Sequence, residues 1–269
     1  MTWTLYRLSF RLLAPLHIGW FKQGNVQRTR PYVTGKALWG ALTARLARDI
    51  GSNDYTKLGD QVSNQLAFSY FYPSTAPSCV CLWPWDDPEG FAWRYLSTYA
   101  STALDPEHNT AKEGTLHETE CLSPHTRDGE PVYLVGYIFE RAGCTLTWRD
   151  ALARLQLGGE RTRGWGRVQP HGEPQRTTDF WQGWDVDLSA QRPALRCTSS
   201  NPRCFAHLAV DQSQDVAGDL EPLVGRQTAA ADQHGERLVA HGLFWQPGAQ
   251  VSTVAEPLHI VEYGLWKPA

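Results

Sequence analysis

The chain reads as an α+β protein built on a ferredoxin-like (RRM-like) β-α-β-β-α-β domain with a large insertion and a smaller C-terminal β-rich unit. Three observations predict this class. Residues 4–13 alternate: Tyr6, Leu8, Phe10 and Leu12 fall on one side of a strand, Arg7, Ser9 and Arg11 on the other. Beyond Thr34, the residues Leu38, Ala41, Leu42, Leu46 and Ile50 recur at helical spacing. The strand–helix order then returns after a long interruption, as an apolar run from Val132 to Phe139, a short helical segment and Val168.

Each element carries its own signals. The segment from Ala14 to Gly19 closes the first strand, and a polar loop with three cations, Lys22 to Arg30, follows. Thr34 suits an N-cap and Gly51 a left-handed stop, which bounds the first helix. Leu66 to Tyr72 reads as the second strand, ended by Pro73. Residues 73–130 are too long for a simple loop and are expected to be an insertion with partial structure. Thr147 suits a cap for a short helix over Trp148 to Leu157. The expected domains are therefore 1–175, with the insertion at 73–130, and 176–269. In the second, short strands are expected at Phe205–Val210, Arg237–Trp245 and Leu258–Trp266. Asp211, Asp215, Asp219 and Glu221 form an acidic linker between two of them.

Composition narrows the class of protein. The 269 residues suffice for one large or two small domains, and 42% hydrophobic content is ordinary. No run of 18 apolar residues occurs, and Arg7 and Arg11 interrupt any signal-peptide layout, so a soluble cytoplasmic protein without a membrane partner is expected. The six cysteines lack zinc-finger spacing and read as reduced thiols; no metal or cofactor is expected, with a site gathered from distant Cys and His left as the alternative. The 12 tryptophans are many for this length, which suggests that several lie at surfaces or interfaces. Eight Lys or Arg and no Asp or Glu precede Asp49, although the net charge is −3. That asymmetry predicts a basic face for a polyanion and an acidic face for another partner.

The segment from Leu157 to Val168 is the most specific local feature. It sets Gly158, Gly159, Gly164 and Gly166 around Arg161, Arg163 and Arg167, with Trp165 in the middle. Glycines let backbone approach a bulky anion, guanidinium forks fit phosphate oxygens, and an indole face can hold a base. Mononucleotide-hydrolase and dinucleotide loops do not fit. Trp165 and Gly166 follow Gly164 where a Walker loop needs Lys and Ser/Thr, and Gln169 stands where a dinucleotide fingerprint needs glycine. A solvated glycine-rich turn is the plainer alternative.

Two motifs together resemble a known family. The stretch Pro15-Leu-His-Ile-Gly19, followed by Pro31-Tyr-Val-Thr-Gly-Lys-Ala-Leu-Trp-Gly-Ala-Leu42, is similar to the opening signature of the RAMP superfamily of CRISPR effector proteins. The glycine-rich loop after a second helix resembles that superfamily's loop. The resemblance covers roughly residues 4–170 and implies a ferredoxin-like fold and RNA binding. Within it, a non-catalytic subunit of a type III complex that grips the 5′ handle of the guide RNA is favoured. Family subunits that cut target RNA place an aspartate in the loop equivalent to 20–30, and none stands there. A spacer-coating backbone subunit and a metal-independent repeat-processing endoribonuclease are the alternatives within the family.

The implied RNA-binding residues are Gly158, Gly159, Arg161, Arg163, Gly164, Trp165, Gly166, Arg167, Lys22, Arg28, Arg30 and Lys36. Backbone amides at Gly159 and Gly164 would assist, and Trp165 either stacks on a base or plugs the core. His125 and Arg127 would lie on a thumb projecting towards the guide–target duplex. His17 and His125 are the candidates for acid–base chemistry, with His17 also suited to a packing role at its strand end. Implied partners are guide RNA, target RNA indirectly, and other effector subunits (the large subunit and the backbone subunits). From another class, a tryptophan-rich carbohydrate-binding protein would use Trp83, Trp85, Trp93, Trp181 and Trp184.

Overall fold

A computed structural model of the chain describes residues 2–211, 215–227, 237–253 and 257–268. The helix at Gly35–Ile50 begins as its sequence dictates: the Thr34 side chain accepts from the Ala37 N–H, and Gly51 closes the helix at φ 66°. Leu38, Leu42 and Leu46 form its buried stripe. A second helix, Tyr55–Gln65, is capped by Asp54 and lies outside the sequence expectations. Leu58 and Val62 are its only bulky apolar buried positions, too sparse a stripe to announce it. The helix after Thr147 is shorter than expected, Trp148–Leu152, and the Thr147 side chain makes no cap hydrogen bond.

These helices cover one face of a six-stranded sheet. Its central strands, Trp3–Leu12 and Tyr133–Arg141, run antiparallel with Leu8 opposite Gly136. Val168–Pro170 flanks the first, and Leu66–Phe68 and Tyr72–Ser74 flank the second, all antiparallel. The expected second strand is thus broken over residues 69–71, and Pro73 sits within its second piece rather than ending it. Leu8, Phe10, Leu12, Leu134 and Ile138 meet the helices, as the alternation predicts.

The opposite face of that sheet is covered as well. Trp3, Leu5, Ala67, Tyr137 and Phe139 pack against Trp181, Leu195, Leu208 and Trp266 of the C-terminal region. That region contributes a seven-stranded sheet in the order Trp184–Asp187, Ala194–Cys197, Leu258–Ile260, Trp266–Pro268, Leu208–Ala209, Arg237–Trp245, Leu220–Gln227. The expected strand at Phe205–Val210 shrinks to two residues, and Leu258–Trp266 is split by a 3₁₀ turn at Glu262–Gly264. The result is a layered α+β molecule: helices, sheet, second sheet. Tyr72, Trp83, Trp85, Trp181 and Phe205 interlock between the layers, with Trp83 and Trp85 stacked at 5.2 Å.

The insertion carries its own helix and strands. A helix, Pro88–Tyr95, runs directly into Leu96–Ser101, which pairs with His117–Leu122 and carries a short two-stranded extension between them. Residues 22–30, expected as a loop, are instead part of a hairpin: Gly19–Gln23 pairs with Val26–Thr29 around Gly24. The hairpin joins the insertion because Val26 and Gln27 pair in parallel with Glu118 and Thr119. Neighbouring cations and a missing apolar alternation hid that strand; both its faces are used by polar residues.

Candidate nucleic-acid interface

The glycine-rich loop is stitched to the segment after the first strand. Gly159 N–H donates to His17 O at 2.9 Å, Gly166 N–H to Pro15 O at 2.7 Å, and Leu13 N–H to Arg167 O at 2.9 Å. Two glycines are there for space. A Cβ on Gly158 would lie 2.3 Å from His17 O, and one on Gly166 would lie 1.8 Å from Leu157 O. Arg161–Arg163 forms a single 3₁₀ turn, entered through Glu160 at φ 53° and left through Gly164 at φ 83°. The amides of Gly159 and Gly164 are therefore committed, to His17 O and Arg161 O. This corrects the expectation that those two amides face an anion. Arg161, Arg163 and Arg167 are exposed, Arg163 in a surface pair with Glu160 at 3.2 Å.

Trp165 is half-buried and meets Tyr99 edge-on at 5.2 Å. That contact fixes the loop relative to the four-stranded sheet of hairpin and insertion. Directly opposed residues share a face, so Tyr99, Thr119, Gln27 and Lys22 form one row across it. At ordinary strand spacing the row spans about 14 Å. Lys22 and Tyr99 stand exposed at the two ends of this row, and Thr119 between them is 3% exposed. Trp20 and Phe21 are exposed beside Lys22 and touch each other edge-on at 4.7 Å.

The other predicted cations are placed differently. Arg28 belongs to the opposite face of the hairpin, paired with Glu120 at 3.3 Å, and its buried Nε has no partner. Glu120 also accepts from the Thr29 N–H, and its backbone oxygen lies 2.7 Å from His17 Nδ1. His17 is accordingly a buried packing residue, whereas His125 is exposed on the insertion. Arg127 lies over the exposed ring of Trp93 at 5.9 Å.

Arg30 corrects the expectation outright. It is 8% exposed and grips Glu221 through both terminal nitrogens. Burial works against its charge, but the Glu221 hydrogen bond and charge outweigh that and raise its pKa. Glu221 also faces His207 Nε2 at 3.2 Å, and Tyr70 Oη lies 2.7 Å from His207 Nδ1. Glu221 can only accept, so Nε2 carries the proton and the Tyr70 hydroxyl donates to Nδ1. Burial opposes ionisation of Glu221, yet the hydrogen bonds from His207 and Arg30 pull its pKa down to about 2. The expected acidic linker is thus partly internal: its last member ties the Leu220–Gln227 strand to Arg30, in the segment between the hairpin and the first helix.

Lys36 looks into a separate space. A cavity of about 500 Å³ lies beside the Gly35–Ile50 helix, lined by Lys36, Trp39, Thr43, Arg161, Arg226 and Tyr263 among others. Arg161 therefore joins the loop to this cavity. Tyr263 sits in the left-handed region at φ 62°, a strain costing about 1–3 kcal/mol for a non-glycine residue. Its carbonyl abuts Gly35, where a Cβ would lie 2.4 Å away. The cavity residues escaped sequence reasoning, although Lys36, Trp39, Gly40 and Thr43 repeat at i, i+3, i+4 and i+7. That spacing marks a second helix face, polar and aromatic, beside the apolar stripe.

Of the five tryptophans proposed for sugar binding, only Trp93 is exposed; Trp181 and Trp184 are core and Trp83 and Trp85 half-buried. The carbohydrate reading loses its surface. All six cysteines are free, and no cluster of three or more His, Cys, Asp or Glu suited to a metal occurs among the described residues. Among those residues no helix is long and apolar enough to cross a membrane.

Comparison with known proteins gives two positive findings. The sequence model of the RAMP superfamily matches residues 9–169. Among solved structures, a chain in the cryo-EM structure of the type III-B Cmr-beta bound to cognate target RNA and AMPPnP is similar, with TM-score 0.52 and 13% identity. That match covers 91% of this chain and 85% of the other. A chain in the Cmr-beta structure bound to cognate target RNA matches at TM-score 0.40 and 10% identity, covering 62% of this chain and 96% of the other. No curated protein matches at significant similarity.

Proposed function

This chain belongs to the RAMP superfamily, and from that premise we propose that it is a non-catalytic RNA-binding subunit of a type III CRISPR effector complex. It grips the 5′ handle of the guide RNA and joins the large subunit to the backbone filament. The carrying observation is the row from Lys22 through Gln27 and Thr119 to Tyr99, which ends against Trp165 of the arginine loop. A ribose-phosphate strand laid along it meets cations at both ends and aromatic rings at Trp20, Phe21, Tyr99 and Trp165. The phosphate groups engage Lys22, Arg161, Arg163 and Arg167, while Gly158 and Gly166 let the loop close on the first strand.

The ferredoxin-like assignment for the first domain is supported by the strand order Val168–Pro170, Trp3–Leu12, Tyr133–Arg141, Leu66–Ser74, with the helices on one face. The non-catalytic reading is supported by the burial of His17 and by a hairpin, residues 19–29, that carries no aspartate where cutting relatives have one. A chain of similar fold occurs in an RNA-bound type III-B complex, which agrees with partnership to guide RNA and other effector subunits.

The test is fluorescence anisotropy with a labelled guide carrying its 5′ handle, against spacer-only RNA of equal length. Handle preference is expected, with no discrete product after incubation of repeat RNA in EDTA. Equal affinity for the spacer would favour the backbone role, and a discrete product would make the protein a nuclease.

A further inference from the structure

We propose that the cavity beside the Gly35–Ile50 helix is a pocket for a single nucleotide unit, holding its phosphate with Lys36, Arg161 and Arg226 and its ring among Trp39, Tyr55 and Tyr263. Its lining meets the three demands of that ligand class. Four cations reach it from three segments, Lys36 and Arg48 from the helix, Arg161 from the glycine-rich loop and Arg226 from the Leu220–Gln227 strand, against two carboxylates, Asp60 and Glu262. An excess of positive charge selects an anion, and the carboxylates can accept from ribose hydroxyls or an exocyclic amine. The volume of about 500 Å³ falls in the range of small-ligand clefts.

The aromatic walls are built in rather than incidental. The Trp39 indole donates to Gly59 O at 3.1 Å, and its ring occupies the place a Cβ on Gly59 would need, 2.6 Å away. Tyr263 meets Trp39 edge-on at 5.1 Å and is held there in the left-handed backbone conformation noted above. Strained residues persist where the surroundings over-determine them, and they gather at binding sites.

Two polar groups point to a ligand independently. Thr43 is 3% exposed, lines the cavity, and its hydroxyl has no hydrogen-bond partner. Arg28, Tyr95, Trp181 and Trp266 also carry an unpaired buried polar atom, but of these five residues Thr43 alone lines the cavity, where its hydroxyl can meet an incoming donor or acceptor. Lys36 Nζ lies 3.3 Å from His241 Nε2 and 5.2 Å from the Tyr263 ring centre, and burial lowers its pKa. An anion beside that ammonium would restore what burial removes.

The inference rests on the proposed RNA reading only for the source of the nucleotide, which is either a unit of the bound strand or a free nucleotide. Calorimetry with 5′-AMP, inorganic phosphate and single-stranded RNA separates these. The variants are Lys36→Gln and the near-isosteric Thr43→Val, each checked for folding by circular dichroism. Wild type is expected to bind 5′-AMP more tightly than phosphate, and each variant to weaken 5′-AMP by roughly tenfold, the loss of one charge-assisted or buried hydrogen bond. Competition between 5′-AMP and RNA would identify a strand nucleotide; independent binding would identify a free one; both uphold the pocket. RNA weakened by both variants with 5′-AMP too weak to detect also upholds it. Phosphate binding as tightly as 5′-AMP would overturn it in favour of a bare anion site. RNA bound equally by wild type and both variants, with no 5′-AMP binding, would overturn the pocket and leave the RNA surface standing. 5′-AMP binding without RNA binding would do the reverse.

Discussion

Arg30 and Lys22 are neighbours in the cation-only opening of the chain, yet they do opposite work. Lys22 is exposed on the hairpin, and Arg30 is buried against Glu221. Lys22→Ala should therefore leave stability within about 0.5 kcal/mol of wild type, as exposed substitutions do, while weakening RNA. Arg30→Ala strands a buried carboxylate, so urea denaturation should show a loss of about 3–5 kcal/mol. An apolar replacement of both partners, Arg30→Met with Glu221→Leu, should recover much of that loss; a double variant as unstable as the single would refute the pairing. Charge counting in the sequence cannot separate the fates of these two cations, because Glu221 lies far along the chain.

At the scale of elements, the strand–helix skeleton was legible and the hairpin was not. Thr34, Gly51 and the Leu38, Leu42, Leu46 stripe state the first helix directly, because its caps and periodicity are local. Residues 19–29 pair with strands some ninety residues later, and their polar faces carry no alternation to read. The glycine-rich loop was recognised from composition, but the use of its amides depends on the segment after the first strand. Its glycines are not equivalent. Gly166→Ala would drive a Cβ into Leu157 O, whereas a Cβ on Gly164 meets nothing within 4 Å. Gly164→Ala should cost only the left-handed penalty of about 1 kcal/mol, and Gly166→Ala clearly more, measured as the shift in urea midpoint. Equal costs would mean the loop is not pinned at Leu157.

Taken whole, the molecule is held together across its two sheets by aromatic packing and by the Tyr70–His207–Glu221–Arg30 chain. The sign of its pH response follows from the two shifted groups. Burial lowers the pKa of His207 below 6.5, so the folded state keeps it neutral. Its contribution is fully present above pH 6.5 and is lost as the unfolded chain takes up a proton below that value. The Glu221 contribution is present above 4.5 and is lost as pH falls towards about 2. Thermal melting should therefore decline in two steps, and His207→Gln should flatten the upper one. A melting temperature constant from pH 7 to 5 in wild type would contradict the buried neutral histidine. The C-terminal layer was foreseen only as short strands, since its cover for Trp3, Leu5 and Phe139 is set by long-range packing.

The salt dependence of single-stranded RNA binding measures the shared surface most directly. Each phosphate contact contributes a slope of about 0.7 in log affinity against log salt. Combining Lys22→Ala with Arg163→Ala, at opposite ends of the row, should lower the wild-type slope by about 1.4 while leaving the fold intact. A slope unchanged in that double variant would show that hairpin and loop do not hold the same strand.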